Sequence, residues 1–570
     1  MRQRIFSKRD PVVGALLAMA LALNLWGVWH ADHMDEYNEV FEALRIGTGH
    51  LNLDRWVKRV YCYILFVEYG LYFAIGRVVG LFSSVSDFSS QIVRDLSPLL
   101  ILGRITSALF VTTGIWCAAV ISRLLHSRTA ARVTVLFCAV TPMAVELAHF
   151  ARIDGTFFVC SMAALLWMTR FCTAEPGRCR DLVLAAFFAG LTFQARTQGV
   201  FLLLPLAALL YWAIRKADGA PCDLVQINVR EPARLAMAAA LGFLGGMVLG
   251  NPAILVDPMG FVKGVLGLSR LYTEPIAVFT GHDLGFFFYG RVLWREFGPL
   301  LSVAMAAAVL YLLVRHLKKV FFLMLYAVPM FLVLGASRYA QNSAYLLPLL
   351  PVFFICFGIA SADLLQRAGR SIRPVLAACL VLLFIIHPVV KTAAVVRSFS
   401  GPNTRVLAKQ WIEKKIPPHS KILMDSGKSY NTFAPLIAED RQSITRLLDR
   451  AKKRLATGEL GDKRGVLRPE SLQLYEMLLT TVPPLSYDIT TTGFGLYLRD
   501  LKEYRQEGFD YFIMNHALAD SYLSPQAKEA HPESARFYLQ AQEELHLLHV
   551  VRPSEVNRGD SFFIYSFDLG

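Results

Sequence analysis

Long apolar blocks, separated by short polar loops in which Lys and Arg cluster, run through the first 397 residues of this 570-residue chain. Nothing else in the sequence constrains the fold as strongly, because about 20 consecutive apolar residues make one bilayer crossing. Only 18% of the residues are charged and 55% are hydrophobic, where a soluble protein carries roughly 25% charged residues. Intrinsic disorder and a wholly soluble enzyme are excluded. The net charge of +14 would suit nucleic acid if the basic residues formed one surface. They lie instead between apolar blocks, the pattern of cytoplasmic loops, so a bilayer is the expected partner and nucleic acid is not. Nine Cys are present without a C-x-x-C, so small apolar space-filling is expected of them rather than metal or redox chemistry.

The first block, Pro11 to about His30, follows Arg2, Arg4, Lys8 and Arg9. No small-residue cleavage site follows it, so an uncleaved anchor with a cytoplasmic N-terminus is expected. Further crossings are predicted at about 98–122, 132–150, 155–172, 181–195, 198–214, 235–255, 298–315, 320–336, 344–363 and 374–393, which makes about eleven. If they alternate, the clusters Arg123/Arg128/Arg132, Arg170/Arg178/Arg180, Arg215/Lys216/Arg230/Arg234, Arg315/Lys318/Lys319 and Arg367/Arg370/Arg373 share one side. This requires Val60–Phe82, which carries Glu68 and Arg77, to lie at the interface rather than cross.

The expected architecture is therefore a multi-pass α-helical membrane part, 1–397, and a soluble α/β domain, 398–570, on the outer side. A first outer loop, 31–97, carries interfacial helices. In the soluble part, Leu407–Lys415 reads as a helix ended by Pro417-Pro418, and Lys421–Met424, Tyr511–Met514 and Phe562–Phe567 read as strands.

With this topology the unusual polar residues share the outer face. After the first crossing comes His33-Met34-Asp35-Glu36-Tyr37 and after the third Arg152-Ile153-Asp154; His282-Asp283 and Arg338-Tyr339 follow later. Ionisable groups at a membrane edge are costly unless paired, solvated or used. Of the adjacent carboxylates Asp35 and Glu36, one is suited to accept a proton from an attacking hydroxyl or amine while the other binds substrate; the alternative is a solvated helix end. Asp154 is a second acidic candidate, and a local salt bridge with Arg152 is its plainer use. Arg338 and Tyr339 suit a phosphate, since guanidinium pairs with it bidentately, or else form an interfacial anchor. His282 is a candidate metal ligand, a lone loop His being more often not one. No Walker A loop, H-E-x-x-H, D-x-D or G-x-S-x-G occurs.

The order of a basic start, one crossing, His33 through Tyr37, interfacial helices and a crossing with Gly103-Arg104 resembles the GT-C membrane glycosyltransferases. It is most similar to the bacterial protein O-mannosyltransferase and aminoarabinose-transferase type, the glycosyltransferase family 39-like group. Thr141-Pro142 before Ala151-Arg152-Ile153-Asp154, Arg338-Tyr339 before Leu346 through Pro351, and Thr404-Arg405 through Trp411-Ile412 before Ile416-Pro417-Pro418 match that pattern in order. The resemblance implies a hexosyl- or pentosyltransferase of a bacterial inner membrane. It would move a sugar from a polyprenyl-phosphate donor to a glycan, lipid or protein acceptor outside the cytoplasm, with inversion. It implies Asp35 as general base or acceptor-binding carboxylate with Glu36 beside it, Asp154 as second acidic residue and Arg152 as its support. Arg55, Lys58, Arg59 and Arg338 remain alternatives for the carrier phosphate, and a divalent metal near His282 is an expectation. A transporter or flippase of a lipid-linked sugar is the competing reading; transporters bind near the midplane, whereas the acidic motifs here gather at one edge.

Overall fold

The computed structural model describes residues 10–47, 60–173, 179–217, 232–270, 284–339, 341–369, 371–426, 434–456 and 469–568. Arg55, Lys58, Arg59 and His282 lie outside the described residues. The chain divides into two compact units. One comprises Met1–Val28, Glu39–Tyr69 and Leu100–Arg397; the other comprises Trp29–Asn38, Gly70–Leu99 and Ser398–Gly570. The second unit thus takes two pieces of the stretch expected as the first outer loop.

The first unit is helical. Among the described residues, seven helices are long and apolar enough to cross a membrane: Ser97–Leu125, Ile153–Thr173, Ala233–Gly250, Gly285–Arg315, Leu317–Ala336, Leu350–Arg367 and Arg373–Ser398. The crossing expected at 132–150 consists of two helices, Arg128–Ala139 and Pro142–Ala148, which together are long and apolar enough to cross and are bent by 61°. Pro142 has no N–H to continue the ladder, so the chain breaks at Val140-Thr141. The freed carbonyls are satisfied inside the protein: Thr141 Oγ1 donates to Phe137 O at 2.8 Å and Thr392 Oγ1 to Val140 O at 2.9 Å. The remaining expected crossings form shorter helices: Pro11–Leu25, Cys179–Ala195 and a 3₁₀ turn, Thr197–Leu202, leading into Leu203–Ala217. Val60–Val78, expected at the interface, is helical and is not among the seven.

Two contrasts in packing shape this unit. Helix Ile153–Thr173 is buried almost from end to end. Helix Arg373–Ser398 buries only Pro388 and Thr392 and exposes Leu382, Leu383, Ile386 and Val390, a surface suited to lipid. Helices Cys179–Ala195 and Pro232–Gly250 approach closely because glycine lets them. A Cβ at Gly190 would stand 2.2 Å from Phe243 O, and one at Gly246 would stand 2.0 Å from Phe187 O. Small residues are how helices gain contact where the surroundings are as apolar as their side chains.

The second unit is built on a five-stranded mixed sheet. Its strands are β1 (Lys421–Met424), β2 (Asp488–Thr491), β3 (Tyr511–Asn515), β4 (His546–Val551) and β5 (Phe562–Ser566). The order is β2-β1-β3-β5-β4. Strand β1 runs parallel to both β2 and β3, while β5 is antiparallel to β3 and β4. Helix Thr404–Lys415 packs Ala408 and Ile412 into a core with Ile422, Ile489, Ile513 and Ile564. Asn403 starts that helix by accepting from Arg405 N at 2.9 Å, and Pro417 forbids its continuation. Just past β1, the carboxylate of Asp425 is fully buried and accepts from Tyr538 Oη at 2.9 Å, Thr492 Oγ1 at 3.0 Å and Asn515 N at 3.2 Å. Burial, opposed by these donors, pushes Asp425 up to about 7.

Candidate active site

The acidic motif after the first helix lies in the second unit, at the start of helix Met34–Ile46. Asp35 and Glu36 occupy its first turn, where the exposed N–H groups favour negative charge. They are used differently. Glu36 is completely buried, and its Oε2 accepts the N–H of His33 at 2.8 Å. His33 reciprocates in form: its Nδ1 accepts the N–H of Asp35 at 3.1 Å. The pair is a capping box with His33 in place of Ser or Thr. Asp35 keeps about a third of its side chain exposed (34%). Of the two adjacent carboxylates, Asp35 is the partly exposed one, with His33 Nδ1 3.9 Å from its Oδ2.

Residues on either side of the motif hold the turn. Asp32 accepts from Tyr37 Oη at 3.2 Å and from Arg405 Nη1 at 3.1 Å. The Arg405 guanidinium lies 5.7 Å from the centre of the Tyr37 ring. Asn403 Nδ2 donates to the Asp32 carbonyl at 3.4 Å. Asp32 and Arg405 are both nearly buried, so this pair is shielded from solvent screening.

Asp154 lies in the first unit, in the first turn of helix Ile153–Thr173, and is almost wholly buried. Gly155 behind it lets that helix meet Ser107 of Ser97–Leu125, since a Cβ there would stand 3.1 Å from Ser107 O. The carboxylate is clamped from both sides. Arg152 Nε stands 3.4 Å from Oδ2, and Arg196 Nη2 donates to Oδ1. Arg196 also stacks over Tyr345, 5.1 Å from its ring centre. One carboxylate and two guanidiniums meet here, all three side chains nearly buried.

The other sequence candidates are placed more simply. Arg338 is exposed and Tyr339 half-buried, its carbonyl accepting Ser337 Oγ at 2.6 Å. Arg104 donates to the Val28 carbonyl at 3.1 Å. Among the described residues no three His, Cys, Asp or Glu side chains converge as a metal ion would require. Sequence reasoning missed Asp32, Arg196 and the use of Arg405. A lone Arg in the short connection between 181–195 and 198–214, away from every basic cluster, was the available signal for Arg196.

Residues 100–220 match the family model of dolichyl-phosphate-mannose-protein mannosyltransferases. That stretch contains Arg152, Asp154 and Arg196. No curated protein sequence matches the chain. Among solved structures, ArnT of Cupriavidus metallidurans bound to undecaprenyl phosphate is similar over 98% of both chains, at 13% identity and a TM-score of 0.51. The Archaeoglobus fulgidus oligosaccharyltransferase complexed with Zn and sulfate is similar over 97% of this chain and 88% of that one, at 12% identity and a TM-score of 0.51. The same enzyme tethered to an acceptor peptide is similar over 97% of this chain and 73% of that one, at 12% identity and a TM-score of 0.50. The architecture is that of the GT-C membrane glycosyltransferases.

Proposed function

We propose that this chain, which has the GT-C fold, transfers a sugar from a polyprenyl-phosphate carrier to an acceptor on the extracytoplasmic face, with Asp35 as general base. One observation carries the reading: Glu36 is taken up in capping the helix, while Asp35 next to it stays accessible. In the reaction, the acceptor hydroxyl or amine gives its proton to Asp35 as its heavy atom bonds to the anomeric carbon. The bond from that carbon to the phosphate oxygen breaks, and its electron pair leaves with the lipid phosphate. A single displacement of this kind inverts the anomeric centre. Asp154 is proposed as the residue that organises Arg152 and Arg196, whose guanidiniums are of the kind that holds a phosphate. A lipid-linked donor keeps its tail in the bilayer, so no soluble nucleotide pocket is needed.

The test compares membranes carrying the wild-type chain and Asp35→Asn, supplied with polyprenyl-phosphate sugars, with glycolipids and glycoproteins read by mass spectrometry. A new glycosylated product is expected from the wild type and not from an equally abundant Asp35→Asn. Wild-type product from the variant overturns the role of Asp35. Movement of a labelled lipid-linked sugar across proteoliposomes, with no glycosidic product, overturns the transferase in favour of a transporter.

A further inference from the structure

We propose that Arg405, in the soluble part of the second unit, is a positioning residue for transfer: it grips Asp32 and Tyr37 on either side of Asp35 and so fixes the general base. The proposal rests on the reading of Asp35 given above.

The geometry is a closed ring of three side chains. Arg405 Nη1 meets Asp32 Oδ2 at 3.1 Å, Asp32 Oδ1 accepts from Tyr37 Oη at 3.2 Å, and the Tyr37 ring lies under the Arg405 guanidinium at 5.7 Å. Arg405 is itself held, because its Nε donates to the Ala434 carbonyl at 2.9 Å and its backbone N–H to Asn403 Oδ1 at 2.9 Å. Asn403 adds a second tie, to the Asp32 carbonyl, across 371 residues of sequence. Asp32 precedes the capping box and Tyr37 follows it, so the peptide bearing Asp35 is pinned before and after its reacting side chain.

A buried ion pair alone is weak ground for a stabilising role, since its desolvation offsets much of its attraction. Its firmest use is to define one geometry. Here the defined element is a helix start whose partly exposed carboxylate is Asp35. A general base acts within hydrogen-bond reach of its proton, and a small misplacement by a distant change lowers turnover steeply. Arg405 suits the task better than Lys would, because one planar group both pairs with a carboxylate and stacks on an aromatic ring. The soluble part is thereby assigned a part in the chemistry, through the placement of a base encoded far upstream.

The experiment uses the full-length chain in lipid nanodiscs, with transfer measured as kcat and KM for the polyprenyl-phosphate sugar and folding by thermal melting. Arg405→Ala should lower kcat about 10- to 100-fold and leave the donor KM within about twofold. Arg405→Lys should recover part of that loss. Asp32→Asn should reproduce the Arg405→Ala defect, and the double variant should be no worse than either single, since both act through one contact. Tyr37→Phe, which keeps the ring and removes only the hydroxyl, should lower kcat by a smaller factor; with Arg405→Lys it decides the matter if Arg405→Ala does not fold. Wild-type kcat in folded Arg405→Ala overturns the proposal, as does additivity in the double variant or a loss matched by the loss of folded protein. Asp35→Asn in the same assay separates the two levels. If it is inactive while Arg405→Ala turns over normally, only the positioning role falls; if it is active, the base itself is wrong.

Discussion

Asp35 and Asp154 hold the same place in their helices, the second residue of the first turn, and live in opposite surroundings. The helix dipole favours both carboxylates equally. Asp154 is nearly sealed and gripped by two arginines. Asp35 is a third exposed, with His33 Nδ1 3.9 Å from its Oδ2, and its neighbours Asp32, Glu36 and Tyr37 are held by closer contacts. An acid that must exchange a proton needs its surroundings fixed and its own oxygens reachable. One that organises cations needs the reverse. Partners, rather than position along the helix, separate the two proposed roles.

The comparison breaks most visibly at Asp35. Asp35→Asn should cut transfer by about 10²- to 10⁴-fold, the range of a general base, with the amount of folded protein unchanged. Asp154→Ala should act on the fold as well as on activity. It leaves two buried guanidiniums facing each other, and breaking a buried pair costs about 3–5 kcal/mol, readable as a lower melting temperature in nanodiscs. If Asp154→Ala melts like wild type, the clamp is not the organising element described here.

A third buried carboxylate sharpens the contrast through pH. Asp425, unlike Asp154, has neutral donors around it among the described residues, and its carboxyl is raised from 3.8 to about 7 by burial, against the hydrogen bonds of Tyr538, Thr492 and Asn515. The folded state then holds a proton that the unfolded chain has released. Stability therefore falls as pH rises from about 4 to about 7 and levels off above it, by an amount on the order of a few kcal/mol. Glu439, lifted to about 7 by burial with Asp440 adding and Arg446 opposing, acts in the same direction. Hydrogen exchange of the 421–424 and 511–515 peptides should speed up between pH 5 and pH 8 beyond the intrinsic rate change, and Asp425→Asn should flatten most of that excess. The smallest effect is expected at Glu36. Glu36→Gln keeps an acceptor for the His33 N–H, so helix stability should change by less than about 1 kcal/mol and transfer far less than in Asp35→Asn. An equal loss in both would return Glu36 to the chemistry.

Much of the membrane part was legible because apolar length is a one-dimensional signal. Most of each predicted crossing is helical where the structure describes it, but turns interrupt the ends of some, and the 132–150 block hid its bend. Pro142 was visible, but whether a proline kinks a helix or ends it depends on neighbours such as Thr392 that sequence distance conceals. In the soluble part, Lys421–Met424, Tyr511–Met514 and Phe562–Phe567 were read as strands because each is a compact apolar run. Strands β2 and β4 went unread: Asp488–Thr491 is mostly polar, and His546–Val551 is an edge strand with an exposed first half. Asp35 and Asp154 announced themselves by residue type. Asp32 and Arg405 did not, because each is ordinary alone and acquires meaning only across 373 positions of chain.

The bend at Val140-Thr141 has a consequence for the last apolar helix. Arg373–Ser398 buries only two residues, and an apolar rod in hydrocarbon gains its rotational setting from the few specific contacts that it makes. Thr392 makes one of them, for its hydroxyl is the partner that a carbonyl orphaned by the kink requires. A discontinuity in one segment thus helps to key the azimuth of another, together with His387 against the Arg295 carbonyl and Phe384 against Phe357.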